Sequence, residues 1–400
     1  MGHDDLSRRG FIGTGAAATL AATGAITGAS AQGAPALPKS PVALNVMDVG
    51  GALALVQKPL ENFRDANKNL VSRMTFTKAP APELAGKLKA QQDAGRLDID
   101  VVIGGLDALS AGIDQKLWTE LFPQYNGTLP KPDDVLLKPA LAMHNLGQGQ
   151  GMCMVYYPSG PLLEYMPDRV KKVPGSTDEL LAWAKENPNR FFHARPANSG
   201  PGRTFLMALP YLLGDSAPKD PVKGWDKTWA YLKELNKYVE YYPSGTGATM
   251  KELGDGSRDI IISTTGWDIN PRVLGIVPKE AKVATLKGFH WVSDAQYMMI
   301  PKGIGPDKLA VGLELIKWIL KPDQQAFTYD EGYFYPGPAV KDVTLAMAPK
   351  ESQDAIKEFG RPEYEKWIAE NPIETPLEPG PMVQAFRIWD EQIGGGKRKG

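Results

Sequence analysis

The sequence predicts an α/β protein with a parallel sheet and two domains. Short apolar runs alternate with amphipathic stretches along most of the chain, which is the pattern of strands that alternate with helices. The chain has 400 residues, more than one hydrophobic core usually supports, so two domains are expected. Its apolar fraction of 42% and charged fraction of 23% are those of a globular protein.

The N-terminal elements form a β-α-β-α-β unit. We expect three strands and two helices, in chain order, at 42–47, 52–67, 71–76, 82–94 and 99–103. Such a unit builds a parallel sheet, and ligands bind beyond the carboxyl ends of its strands. The loops that follow the first and third strands are therefore candidate ligand loops, and the residues singled out in them are Gly50, Gly51, Gly105 and Asp107.

The same alternation continues through the rest of the chain. The predicted strands are 151–157, 190–194, 259–263, 282–286 and 295–300, and the predicted helices are 177–186, 203–213, 222–239, 307–320 and 322–329. Residues 341–389 read as helical with proline-rich breaks, and the basic, glycine-rich end at 394–400 is expected to be disordered. No apolar run is long enough to predict a membrane-spanning helix.

Charge and cysteine content exclude several functions. With 45 Lys and Arg against 46 Asp and Glu, the chain lacks the positive field of a nucleic-acid-binding protein. One cysteine, Cys153, permits neither an intramolecular disulfide nor a multi-thiolate metal site. The four histidines have no ligand spacing, and adjacent tyrosines such as Tyr156 and Tyr157 are ordinary strand residues. We therefore predict no metal site and no cofactor.

Residues 1–31 have the form of a twin-arginine export signal. Arg8 and Arg9 precede a mildly apolar segment rich in Ala, Gly and Thr, and a small-residue cleavage site ends at Ala31. No cysteine follows that site to take a lipid anchor. The sequence predicts a protein that is cleaved near Ala31 and free in the periplasm.

Two loops that open helices are candidate binding segments. Residues 195–203 combine small residues with Arg203, so a ligand anion would meet free backbone N–H groups and a guanidinium. The alternative is a tight turn with a surface arginine. Residues 244–249 offer hydroxyls in a similar position, with an ordinary helix cap as the alternative. The candidates in these loops are Asn198, Ser199, Gly200, Arg203 and Thr246.

Aromatic residues near acids form the third group of candidates. Trp267 with Asp268, and Trp291 with Asp294, suit an ammonium group through cation–π and charge-assisted contacts. The alternative is a core tryptophan with a capping aspartate. Tyr333 belongs to an aromatic turn that is a candidate wall of the same site.

One stretch in the C-terminal half of the chain resembles a known family. The run Ala295-Gln296-Tyr297-Met298-Met299-Ile300-Pro301 is followed by an amphipathic helix and then by Lys321-Pro322-Asp323-Gln324-Gln325-Ala326. This order is similar to that of extracellular solute-binding proteins of bacterial ABC transporters, within the group for polyamines, thiamine, ferric iron and phosphonates. The resemblance spans the chain from about Val42 to Trp389.

The resemblance implies a type II periplasmic binding protein with two α/β lobes joined by hinge strands. Lobe 1 is expected at 42–150 plus about 296–400 and lobe 2 at 151–295, with hinge crossings near 152–157 and 295–301. A solute bound in the cleft would close the lobes, and the closed protein, expected to be a monomer, would deliver it to an ABC permease in the inner membrane. Nucleic acid is not an expected partner.

The sequence predicts a small polar solute of one of three classes: anionic, zwitterionic or amine-bearing. Polyamine binders of this group have a Trp-x-Asp before the strand, but here Gln296 takes the acid position and Asp294 the tryptophan position. Two alternatives stay open at this point. One is a periplasmic enzyme on the same fold with His290 or Asp294 as a general base, and the other is a sensing partner of a membrane receptor.

Overall fold

The computed structural model describes residues 33–397, within which the strands form two sheets. The strands are β1 (Val42–Val49), β2 (Val71–Ala79), β3 (Val101–Gly105), β4 (Met152–Gly160), β5 (Leu162–Tyr165), β6 (Phe191–Phe192), β7 (Ile260–Ser263), β8 (Lys282–Ala284), β9 (Trp291–Met299), β10 (Gly337–Pro338) and β11 (Ile373–Glu374). The helices are α1 (Gln57–Ala66), α2 (Ala81–Asp93), α3 (Leu106–Asp114), α4 (Pro132–Val135), α5 (Lys138–Leu146), α6 (Thr177–Glu186), α7 (Gly200–Leu213), α8 (Asp226–Leu235), α9 (Thr246–Gly254), α10 (Thr265–Val273), α11 (Pro306–Ile319), α12 (Pro322–Gln325), α13 (Lys350–Phe359), α14 (Glu363–Glu370) and α15 (Pro379–Trp389).

The first sheet has seven strands and contains the predicted β-α-β-α-β unit. Its order is β10-β4-β9-β3-β1-β2, and β11 pairs with β9. β1 lies between β2 and β3 and is parallel to both, which confirms the predicted unit. β4 and β9 are antiparallel neighbours whose residues are all buried, including the polar Ser293, Asp294 and Gln296 of β9.

The second sheet has four strands in the order β6-β7-β5-β8. All of them lie between Leu162 and Ala284. The chain leaves the first sheet at the end of β4, where Gly160 and Pro161 lead directly into β5, and it returns to the first sheet at β9. The chain therefore passes between the two sheets at Pro161 and again between β8 and β9.

Several predicted helices have different bounds. The predicted helix at 52–67 is a 3₁₀ turn at Ala52–Leu55 followed by α1, because the backbone of Val56 (φ −129°) interrupts it. The helix predicted at 222–239 is shorter in the structure, where α8 begins at Asp226 and ends at Leu235. α3 was not predicted, and it places Asp107 in the first turn of a helix and not in an open loop.

The glycine-rich end is ordered as far as the structure describes it, which corrects the expectation of disorder for residues 394–397. Asp390–Gly394 form a π-helical turn, and the backbone N–H of Tyr242 donates a hydrogen bond to the carbonyl of Lys397. The proposed export signal lies outside the described residues. Between residues 33 and 397, no helix is both long enough and apolar enough to cross a membrane.

Candidate functional site

Three adjoining cavities, all lined by Trp267, form the candidate site. Their volumes are about 540, 610 and 40 Å³. The two larger cavities also share Gly247, and the smallest shares Asp107 and Asn198 with one of them. We call the three together the Trp267 cleft.

Elements of both sheets supply the lining of the Trp267 cleft. The turn after β1 contributes Gly50 and Gly51, whose positive φ values of 75° and 86° suit glycine. Asp107 comes from the start of α3, which follows β3. The starts of α7, α9 and α10 also contribute to the lining. The cleft therefore lies beyond the carboxyl ends of β1 and β3, as the topology predicts.

Ten of the fourteen residues singled out from the sequence line the Trp267 cleft. They are Gly50, Gly51, Gly105, Asp107, Asn198, Gly200, Arg203, Thr246, Trp267 and Tyr333. The other four, Ser199, Asp268, Trp291 and Asp294, are buried outside its lining.

Ser199 acts as a helix cap. Its hydroxyl accepts a hydrogen bond from the backbone N–H of Gly202 and lies 2.7 Å from the hydroxyl of Thr246. The side chain therefore ties the start of α7 to the start of α9. Since these contacts use its oxygen, Ser199 shapes the cleft without facing it.

Arg203 is held at the edge of the cleft by two carboxylates. Its Nη2 donates to Oδ2 of Asp294 at 2.5 Å, and Tyr157 donates its hydroxyl to the same oxygen at 2.9 Å. Its Nη1 lies 3.5 Å from Oδ2 of Asp107 and has no hydrogen-bond partner, although it is buried. Arg203 thus keeps one unsatisfied donor beside the smallest cavity.

Burial and neighbouring charges together shift the pKa values of Asp107, Arg203 and Tyr157. Burial raises the pKa of Asp107, and the nearby Arg203 guanidinium lowers it in part. Burial disfavours the charged guanidinium, but Asp294 and Asp107 outweigh that effect and raise the pKa of Arg203. Burial and the Asp294 carboxylate both raise the pKa of Tyr157, so its hydroxyl remains a hydrogen-bond donor.

An aromatic wall forms one side of the cleft. Trp267 packs edge to face on Tyr333, with ring centroids 5.3 Å apart. Tyr333 stacks on Phe334 at 4.1 Å, and Phe334 stacks on Tyr157 at 4.8 Å. Gly266 permits this wall, because a Cβ there would lie 2.2 Å from the backbone of Phe334. The half-buried Trp267 is left with surface exposed to the cleft.

Asp268 does not face the cleft, and this corrects its pairing with Trp267 around an ammonium. Neighbouring residues of a helix point in different directions, so Trp267 reaches the cleft while Asp268 turns into the interior. There Arg361 donates two hydrogen bonds to its carboxylate at 2.9 and 2.7 Å, and Tyr364 donates a third at 2.7 Å. Arg272 adds an ion pair at 3.2 Å.

Trp291 and Asp294 do not form an aromatic–acid pair either. They lie three residues apart on β9, so their side chains occupy opposite faces of the sheet. Trp291 is fully buried, packs on Phe289 and donates its indole N–H to the carbonyl of Trp367. His290, the other residue considered as a general base, stacks on Tyr211 outside the cleft lining.

The cleft also contains residues that were not singled out from the sequence. Asp330 and Glu331 line the cavity of about 540 Å³ and have φ values of 30° and 52°, which no sequence pattern here predicts. Burial, reinforced by the charge of Glu331, raises the pKa of Asp330 to about 7. Lys78 at the end of β2 and Glu83 in α2 complete the charged lining.

Acidic side chains outnumber basic ones in the lining. The acids are Asp48, Glu83, Asp107, Asp330 and Glu331, and the bases are Lys78 and Arg203. Arg203 is already compensated by the buried Asp294. In residues 33–397 no cluster of three or more His, Cys, Asp or Glu side chains is arranged to hold a metal ion.

Comparison with solved structures identifies the fold. The periplasmic thiamin binding protein is 15% identical to this chain, with 91% of this chain and 100% of that one covered and a TM-score of 0.61. A putative spermidine/putrescine ABC transporter protein from Listeria monocytogenes is 14% identical, with coverages of 87% and 99% and a TM-score of 0.59. The periplasmic binding protein AfuA from Actinobacillus pleuropneumoniae, solved with fructose-6-phosphate, is 15% identical, with coverages of 88% and 98% and a TM-score of 0.61.

These structural similarities confirm the predicted fold class, which is the two-lobe α/β fold of periplasmic binding proteins. A search of curated proteins gives no match. The family model for bacterial extracellular solute-binding proteins, in contrast, matches residues 60–358 and so includes most of the chain. The chain therefore belongs to the bacterial extracellular solute-binding protein family.

Proposed function

We propose that this protein is the periplasmic component of an ABC importer and captures a small amine-bearing solute in the Trp267 cleft. Family membership supports solute capture, and the titles of similar structures name a spermidine/putrescine ABC transporter and a thiamin binding protein. Of the three solute classes predicted from the sequence, the lining of the cleft favours the amine-bearing one.

The excess of carboxylates in the cleft is the observation that carries this choice. Five acids face two bases there, and one of the bases, Arg203, is paired with Asp294. A cation entering this cleft gains attraction from this excess of carboxylates, whereas an anion is repelled by it. The hydroxyl of Ser199 is also occupied, which weakens the alternative of an anion bound at residues 198–203.

Each group of the solute has a partner in this arrangement. An ammonium would lie against the exposed face of Trp267, between the carboxylates of Asp107 and Glu83, where cation–π attraction and charge act together. A carbonyl, hydroxyl or carboxylate of the solute would accept from Nη1 of Arg203, a buried donor that lies 3.5 Å from Asp107 but makes no hydrogen bond. The solute class is therefore a cation with at least one hydrogen-bond acceptor.

The two lobes are proposed to close on this solute. We place lobe 1 at 42–150 and about 296–400, and lobe 2 at 151–295, so that Asp107 and Arg203 stand on opposite sides of the cleft. Their separation of 3.5 Å then corresponds to a closed arrangement. Opening would separate the pair and admit the solute.

Export and delivery complete the proposal. Residues 1–31 act as a twin-arginine signal that is removed near Ala31, and the mature chain works as a periplasmic monomer. An ABC permease in the inner membrane is its partner.

Thermal unfolding of the mature chain with a panel of solutes tests this function. The panel contains diamines, thiamine, zwitterionic amino acids, dicarboxylates and sugar phosphates, each at millimolar concentration. An amine-bearing solute is expected to raise the melting temperature, because a ligand that binds only the folded state stabilises it. A shift with dicarboxylates or sugar phosphates alone would reject the proposed solute class.

A further inference from the structure

The C-terminal segment 379–397 contacts elements that lead into three of the cleft loops. It begins with α15, which packs against α3. Met382, Ala385 and Trp389 are buried, and the hydroxyl of Ser110 in α3 lies 3.7 Å from the sulfur of Met382. Because α3 carries Asp107 in its first turn, α15 supports one wall of the cleft from behind.

Beyond α15 the chain reaches residues that precede α7. Arg195 pairs with Asp390, donates from Nη1 to the carbonyl of Gly394 at 3.0 Å, and places its guanidinium 5.2 Å from the ring centre of Trp389. Three residues after Arg195 comes Asn198, which lines the cleft. Arg195 thus joins the C-terminal segment to the cleft loop that leads into α7, the helix that carries Arg203.

The last described residues reach the segment that precedes α9. The side-chain amide of Asn236 donates to the carbonyl of Ile393 at 3.0 Å, and the N–H of Tyr242 donates to the carbonyl of Lys397 at 3.0 Å. Tyr242 stands two residues before Ser244, which lines the cleft. The rings of Tyr242 and Trp389 also pack together at 5.0 Å.

Two glycines allow the segment to fold this tightly. A Cβ on Gly394 would lie 2.0 Å from the ring of Trp389, and a Cβ on Gly395 would lie 2.2 Å from the carbonyl oxygen of Asp390. A Cβ on Gly396, in contrast, would meet no atom within 4 Å. The close packing is therefore specific to Gly394 and Gly395 and is not a general property of a glycine-rich end.

We propose that residues 379–397 are a strap that is anchored on α3 by α15 and holds the two cleft loops of lobe 2, before α7 and before α9, in their binding positions relative to each other, with Arg195 as the positioning residue that links the strap to the loop before α7. Loops that are fixed before the solute arrives lose less conformational entropy on binding, so the strap raises affinity without touching the solute. The inference rests on the proposed function only in assigning solute binding to these loops.

Hydrogen exchange of the mature chain, measured without solute, tests the strap. Gly394→Ala is compared with Gly396→Ala, which adds the same methyl group where there is space for it. In Gly394→Ala we expect amides in 196–203 and 244–249 to exchange about tenfold faster, while amides of β1 and β2 keep their wild-type rates. Gly396→Ala is expected to match the wild type throughout.

Asp390→Asn provides a second, milder variant in case Gly394→Ala does not fold. It is expected to accelerate exchange in 196–203 only, and the exchanged pair Arg195→Asp with Asp390→Arg is expected to restore protection. The strap is rejected if exchange in these loops is unchanged in both single variants, or if all β-strands accelerate equally. No solute enters this experiment, so its failure leaves the proposed function intact, and a wrong solute class leaves the strap intact.

Discussion

Arg203 and Asp294 form a buried ion pair in which Nη2 of the guanidinium lies 2.5 Å from Oδ2 of the carboxylate. The side chains are 4% and 1% exposed, so little water screens their charges. Asp294 also accepts the hydroxyl of Tyr157. This arrangement fixes the orientation of Arg203 and leaves its Nη1 beside Asp107 and the cleft.

Replacing Asp294 by asparagine is expected to destabilise the protein. The variant leaves the Arg203 charge buried without its closest counter-charge, which should lower the free energy of unfolding by about 3 kcal/mol. Urea denaturation measures this difference. Asp93→Asn, in the exposed pair with Lys89, is the matched control and should change stability by less than about 0.5 kcal/mol. Equal effects of the two variants would contradict the buried-pair interpretation.

The two tryptophans first proposed as ligand contacts are expected to behave differently. Trp267→Ala should weaken binding of the active amine about tenfold with little loss of stability, since Trp267 is half-buried and lines the cleft. Trp291→Ala should lower the free energy of unfolding by about 3 kcal/mol or more, since that side chain is fully buried. Calorimetric titration measures the change in affinity of both variants, and urea denaturation measures the change in stability. A stability loss in Trp267→Ala alone would contradict the ligand-contact role of Trp267 and the structural role of Trp291.

Affinity for an amine is expected to rise with pH near neutrality. The pKa of Asp330, raised to about 7 by burial, means that this carboxylate loses its proton between pH 6 and pH 8. The cleft gains negative charge over that range, so the dissociation constant should fall, by about threefold. Asp330→Asn retains a residue type that tolerates positive φ and should bind with no such pH dependence. The same pH slope in the variant and the wild type would exclude Asp330 as the cause.

Export should depend on the arginine pair. Changing Arg8 and Arg9 to lysine is expected to retain the precursor in the cytoplasm, because the twin-arginine pathway is addressed by that pair. Fractionation followed by intact mass measurement checks this, and the exported wild-type protein should begin at Gln32. The control is Lys39→Arg, beyond the proposed cleavage site, which should leave export unchanged. A periplasmic double variant would point to another export route.

The N-terminal strands and the place of the cleft follow from the sequence. Apolar runs mark β1 and β3, and the rule for parallel sheets places the ligand loops at their carboxyl ends, where Gly50 and Asp107 are found. The helix predicted at 203–213 begins three residues earlier, at Gly200, with Ser199 as its cap.

Long-range pairing accounts for what the sequence did not reveal. Asp268 is drawn away from Trp267 by Arg361, 93 positions later in the chain, and nothing local to Asp268 indicates that partner. From the sequence alone the glycine-rich end is expected to be disordered. The structure shows that Gly394 packs against the ring of Trp389, a contact that no local pattern indicates. The backbone N–H of Glu331, next to Asp330, likewise donates to the hydroxyl of Ser352, 21 positions later in the chain.

Calorimetric titration of the mature chain with the amine that most raises its melting temperature tests the central claim most directly. Wild-type protein should bind it with one-to-one stoichiometry, and Asp107→Asn should bind it about tenfold more weakly, because the variant removes a cleft carboxylate. Asp98→Asn, outside the cleft lining, should bind as the wild type does. Unchanged affinity in Asp107→Asn, or binding of dicarboxylates in place of amines, would contradict capture of a cationic solute in the Trp267 cleft.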